Sequence, residues 1–112
     1  MIAIKRLPPA IQEKQRYLGF RVHCEEPRDL GEVVDAVWDA ALGFLGSKGS
    51  SNADFWIIGN RFEEEKQEGV IRVNRQAEDD LRAALALIDE IGGEKGFIQV
   101  TGVSGTLESL EN

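Results

Sequence analysis

The chain has 112 residues, a single cysteine and a formal charge of -7, with 13 Lys or Arg set against 20 Asp or Glu. That length supports one core and excludes two domains. A lone cysteine excludes both an intrachain disulfide and a multi-cysteine zinc site, which fits a reducing cytoplasm, and no apolar run is long enough for a membrane span or a signal-peptide core.

The first sixteen residues carry the Pro8-Pro9 pair and no sustained periodicity, which predicts an extended basic arm over 1–16. From Tyr17 to Glu25 the residues alternate. Leu18, Phe20, Val22 and Cys24 point one way, and Tyr17, Gly19, Arg21 and His23 the other, as in a strand with one buried face. Pro27 ends it and Asp29 is a helix N-cap. Val33, Val34, Val37, Trp38, Ala41, Phe44 and Leu45 then recur at helical spacing until Gly46. GSKGSSNAD reads as a polar loop. Phe55 to Phe62 is a second strand, apolar on both faces at its start, so its inward side stays open. After the charged connection from Glu63 to Glu68, Val70 to Arg75 alternates Ile71 and Val73 with Arg72 and Asn74 as a third strand.

Glu78 to Ile91 places Leu81, Ala84, Leu85, Ile88 and Ile91 on one stripe, Gly92-Gly93 stops that helix, and Phe97 to Val103 is a fourth strand. The order βαββαβ predicts an α+β, ferredoxin-like sandwich: an antiparallel four-stranded sheet with both helices on one face. It occupies residues 17–106, with a C-terminal tail over 107–112. Val37, Trp38, Leu85 and Ile88 are expected to form the main core.

Nothing in this scheme is left to cover the sheet's other face. If Leu18, Phe20, Val22, Ile71, Val73, Ile98 and Val100 meet the helices, then Tyr17, Arg21, His23, Arg72, Asn74, Gln99 and Thr101 lie on the open side, a basic and hydrogen-bonding set. Sheets of this topology can bind RNA there through stacked aromatics and arginines. Tyr17 is the one aromatic this assignment supplies, and no RGFGFV-type signature is present. A solvated face or a protein interface is the competing reading.

The charge pattern does not exclude nucleic acid. Residues 1–28 hold six basic and three acidic side chains, the remainder seven and seventeen, and arginines outnumber lysines eight to five. An acidic helical face and a basic strand face can share one domain, and the guanidinium fork suits phosphate and stacking contacts. A salt-rich cytoplasm would produce the same acidic excess.

Catalytic parts do not assemble. His23 and Cys24 are strand neighbours and project to opposite faces, so they cannot act together as nucleophile and base. Gly43, Gly46 and Gly49 match no phosphate-loop spacing, and the carboxylates Glu63 to Glu65 and Asp79-Asp80 have the placement of solvated or helix-dipole charges. Two other functional classes stay open. A small-ligand regulatory domain of the same fold would need a glycine-bearing pocket between the first strand and helix, where Gly31 lies. A hydrolase of the acylphosphatase kind would need a phosphate cradle beside Arg21 and Asn60.

The segments LPPAIQEKQRYLGF, LGSKG, GVIRVNR, AEDDLRAALALIDEIGG and GVSGTLESLEN, in this order and spacing, resemble the archaeal ribonuclease P protein component 2 family over nearly the whole chain. The resemblance implies a non-catalytic, cytoplasmic subunit of the ribonucleoprotein that removes 5′ leaders from precursor tRNA. Magnesium-dependent cleavage would reside in the RNA, with no cofactor held by the protein. The implied partners are the ribonuclease P RNA, protein component 3, the other protein components and, through the complex, precursor tRNA. A pair of copies would be bridged to component 3. Matching positions are Arg16, Tyr17, Arg72, Arg75, Val103, Ser104, Gly105 and Thr106. Arg16, Tyr17, Arg72 and Arg75 are thereby implied as RNA contacts, and Arg21 joins them on strand geometry alone.

Overall fold

Alternating apolar residues in the first strand have to be covered, and a computed structural model shows what covers them. It describes residues 14–110. Most of the expected arm (1–13) and the end of the tail (111–112) lie outside the described residues. Strand β1 (Gln15–Cys24) is flanked by β3 (Glu68–Asn74) and β5 (Glu94–Ser104), both antiparallel to it. Short strands β2 (Trp56–Ile57) and β4 (Glu90–Ile91) edge the sheet, giving the order β2-β3-β1-β5-β4. The sheet therefore has five strands rather than the expected four. Helices α1 (Leu30–Ala53) and α2 (Glu78–Ala86) share one face, where Val33, Val37 and Ala41, with Leu81 and Leu85, bury Leu18, Phe20, Val22, Ile71, Val73 and Ile98.

Helix α1 starts where the sequence says. The Asp29 carboxylate accepts from the Glu32 amide at 2.9 Å, and the Glu32 carboxylate accepts from the Asp29 amide at 3.1 Å, a complete capping box. Its end differs from expectation. Gly46 breaks the helix at φ 78°, ψ 175°, but the GSKGSSNAD segment expected as a loop becomes helical again as far as Ala53, closed by Asp54 in the left-handed region. Packing overrides the polar composition: Ser50 and Ala53 are buried, and the Asn52 carbonyl accepts from the Asn74 side-chain amide at 3.3 Å. Trp38, expected in the core, is 41% exposed and rests on Phe55, ring centroids 4.3 Å apart.

The second helix is also shorter than its apolar stripe. It ends at Ala86, and Ile88 and Ile91 remain buried as extended chain instead. Gly92 and Gly93, at φ 62° and 82°, form the two-residue turn of a β4–β5 hairpin, with Ile91 opposite Glu94. Two successive positive φ values are what a type I′ turn requires. The second strand covers two residues rather than Phe55 to Phe62, because the chain bends into a 3-10 turn at Gly59–Arg61. Arg75, expected as the last residue of the third strand, instead opens a second 3-10 turn, Arg75–Ala77.

Gly69 is required by close approach. A Cβ there would sit 2.7 Å from Phe20 Cζ and 3.1 Å from Phe62 Cδ1, between two stacked rings at the core's edge. Gly69→Ala should lower unfolding free energy by about 1–3 kcal/mol through overpacking. Urea titration checks it; an unchanged midpoint would mean that the Phe20 ring moves aside freely.

Candidate nucleic-acid interface

On the face opposite the helices, strand register sets the side chains in rows. Trp56 of β2, Arg72 of β3, Tyr17 of β1 and Ser104 of β5 are aligned partners across four strands. The next row is Val70, Gly19 and Gly102, followed by Glu68, Arg21 and Gln99, and then His23 beside Phe97. Thr101 is the extra residue of a bulge, which lets Val100 and Gly102 oppose Phe20 and Gly19.

This face is not wholly open. A one-turn helix, α3 (Leu107–Leu110), lies over its middle, with Leu110 Cδ2 3.8 Å from where a Gly19 Cβ would be and 3.4 Å from that of Gly102. Residues expected as tail thus divide the face into two ends.

The Arg72 end carries a guanidinium without a counter-ion among the described residues. Arg72 makes no ion pair or hydrogen bond with a described residue, and its Nε is buried without a partner. Just beyond the ends of β3 and β1, Arg75 and Lys14 are exposed and likewise unpaired through their side chains among the described residues, and the Arg75 amide donates to the Lys14 carbonyl at 2.9 Å; they border this end of the sheet rather than belong to the Arg72 row, Lys14 having the parity of Arg16. The other arginines singled out in the sequence are engaged. Arg16 belongs to the helix-facing set of β1, and its Nε lies 3.9 Å from the Glu78 carboxylate at the start of α2. It therefore does not share a face with Tyr17. Arg21 forms a cross-strand ion pair with Glu68, its Nε donating at 3.0 Å and its Nη2 to the same oxygen.

Asn74, expected on the open face, is buried; its Oδ1 accepts from the Gln76 amide at 2.9 Å, capping the Arg75–Ala77 turn. Sequence reasoning misses two residues of this surface. Trp56 falls within the strand whose two faces the sequence does not tell apart. Phe97 lies in the fourth strand, where its alternation with Ile98 is the available signal. Trp56 is 63% exposed and Phe97 53%, so the face holds three aromatics rather than Tyr17 alone.

The competing sites do not form. Gly31 lies in the first turn of α1. Where a ligand pocket would open between β1 and α1, the Gln67 side chain instead brackets the Arg28 backbone, its Oε1 accepting from the amide at 2.9 Å and its Nε2 donating to the carbonyl at 3.1 Å. Arg21 is held by Glu68, and Asn60 sits in the turn after β2 at the sheet's edge. Cys24 packs against the core, where burial pushes its thiol above the ordinary value despite the opposing Arg28 charge, which disfavours the thiolate. Among the described residues no three His, Cys, Asp or Glu cluster to hold a metal, and no helix is long and apolar enough to cross a membrane.

The fold and this surface define a small α+β protein whose partly covered sheet face sets one cation without a described partner, Arg72, between the aromatic residues Trp56 and Tyr17. A model of the Rpp14/Pop5 family matches residues 16–112, and the chain belongs to that family. Ribonuclease P protein component 2 of Thermococcus gammatolerans is 44% identical over 107 residues, covering 96% of this chain and 88% of the relative. The protein of the same name from Methanocaldococcus jannaschii is 36% identical over 108 residues, covering 96% and 78%. A chain in the cryo-EM structure of yeast ribonuclease MRP shares the fold, with a TM-score of 0.66 at 13% identity over 86% of this chain and 77% of that one. The resemblance read from the sequence is borne out.

Proposed function

We propose that this chain is a non-catalytic protein subunit of ribonuclease P, supporting the RNA that removes 5′ leaders from precursor tRNA, and that the Trp56–Arg72–Tyr17 row with Arg75 and Lys14 meets that RNA. Membership of the Rpp14/Pop5 family and the archaeal component 2 relatives support the assembly. The observation that carries the surface is Arg72, a guanidinium on an interior strand with no anionic partner among the described residues. A half-buried cation without a counter-ion is held ready for one, and the flanking rings offer faces on which bases stack. Arg16 and Arg21 are secondary contacts in this reading, since each must loosen a carboxylate first. The four-stranded part of the sheet, β2-β3-β1-β5, is the ferredoxin-like unit, with β4 as an added edge.

Ribonuclease P protein component 3 and a second copy of this chain are the protein partners of this reading, the cytoplasm is its location, and magnesium belongs to the RNA. No described constellation pairs a nucleophile with a base or sets carboxylates around one metal, so the protein should stimulate cleavage without performing it. Mixed with precursor tRNA and magnesium, the purified chain should release no leader. Added to an archaeal ribonuclease P RNA with the other protein components, it should raise the rate. Cleavage by RNA-free protein, or an indifferent reconstituted particle, would overturn the proposal.

A further inference from the structure

The far end of the open face holds a second group that the Arg72 row does not use. The His23 and Phe97 rings, partners across β1 and β5, lie nearly parallel, with centroids 4.6 Å apart and planes 10° apart. Phe97 nevertheless stays 53% exposed. His23 Nε2 donates to Gln99 Oε1 at 2.8 Å, which fixes the imidazole and leaves the Gln99 amide nitrogen free to donate elsewhere. Lys95, on the same face of β5 two residues before Phe97, lines the adjoining groove with His23 and Phe97 and makes no ion pair with a described residue.

We infer that this end is a stacking platform for one unpaired nucleobase of the RNA, with Phe97 as the stacking ring, Gln99 donating to the base edge and Lys95 meeting that nucleotide's phosphate. The inference rests on the ribonuclease P reading. A parallel ring pair extends naturally by a third flat π-system, and every base has such a face. Flanking donors on either side of the ring suit a base with its acceptors and phosphate better than an apolar protein segment. Glu25 and Asp89 also border the groove and repel a run of phosphates, so the geometry takes a single splayed nucleotide rather than a backbone track. α3 separates this platform from the Arg72 row, which makes it a second point of attachment.

The test uses the full chain in a particle reconstituted on an archaeal ribonuclease P RNA, with assembly followed against protein concentration and salt. A stacked base is worth about 1–3 kcal/mol by alanine substitution, or about 5- to 150-fold in affinity. Phe97→Ala and Phe97→Leu should both weaken assembly within that range at every salt concentration, leaving the salt slope unchanged, while Phe97→Trp should restore it. Ultraviolet irradiation should crosslink the wild-type protein through Phe97 to one RNA position, a crosslink that the Phe97→Leu variant should lack. Phe97→Leu binding as well as wild type would identify an apolar protein contact and overturn the inference. So would an unaffected Phe97→Ala. If Arg72→Ala weakens assembly while Phe97→Ala does not, the platform alone falls; if the wild-type chain leaves the particle unchanged, the ribonuclease P reading falls with it.

Discussion

Leu85→Ala should lower the free energy of unfolding by about 2–5 kcal/mol. Leu85 is 1% exposed and sits with Leu81 on the face of α2 that joins the core cluster containing Phe20, Ile71 and Ile98. Removing its isopropyl group loses the transfer free energy of the buried carbons and leaves a cavity that the sheet beneath cannot collapse to fill. A domain of this size has a margin of about 5–15 kcal/mol, so the variant should unfold at much lower denaturant. Leu87, at the C-cap of the same helix and 63% exposed, is the internal control. Leu87→Ala should shift stability by less than about 0.5 kcal/mol. Equal losses for the two variants would show that α2 packs through a different face.

The contrast between these two leucines was legible in the spacing of the apolar stripe, as were the alternation of β1 and the cap at Asp29. Each depends on residues within one element, whose period reveals which side is buried. What was not legible depends on partners distant in sequence. Ile88 and Ile91 fit a helical stripe and equally fit an extended segment that points inward, and a double glycine can stop a helix or turn a hairpin; only pairing of Glu90 with Lys95 decides it. Ser50 and Ala53 are small enough to let the second part of α1 pack closely, an advantage invisible in a Gly- and Ser-rich string. At the candidate interface, alternation put Arg72 and Tyr17 on one face correctly. It also places Arg16 with the helices, in keeping with the salt link to Glu78, so its motif match and its geometry point different ways. Trp56 is hidden in the sequence because both faces of its strand are apolar, and only its register opposite Arg72 shows which side it takes.

That register underlies the expected result for Arg72→Ala, which should weaken assembly with the ribonuclease P RNA more than Arg21→Ala does. Arg72 has no acidic partner among the described residues, so its removal strands no carboxylate and should leave the fold intact. Arg21, by contrast, is paired with Glu68, and any phosphate must compete for it with that carboxylate. A lost hydrogen-bonded phosphate contact amounts to about 1.5–3 kcal/mol, on the order of 10- to 150-fold in affinity. Each contact also releases condensed counterions, so the logarithmic salt slope should become shallower by about 0.7–0.9 for Arg72→Ala. Because phosphates carry no sequence information, the loss should be similar for RNAs that differ in base sequence at the contact. Arg75→Ala should act in the same direction, while Arg21→Ala should show a smaller change in both affinity and slope. Assembly titrations across monovalent salt, with thermal unfolding run on each variant, separate these effects. An Arg72→Ala protein that folds normally and assembles with the wild-type affinity and slope would move the RNA contact off this face, leaving Arg72 as a solvated strand residue.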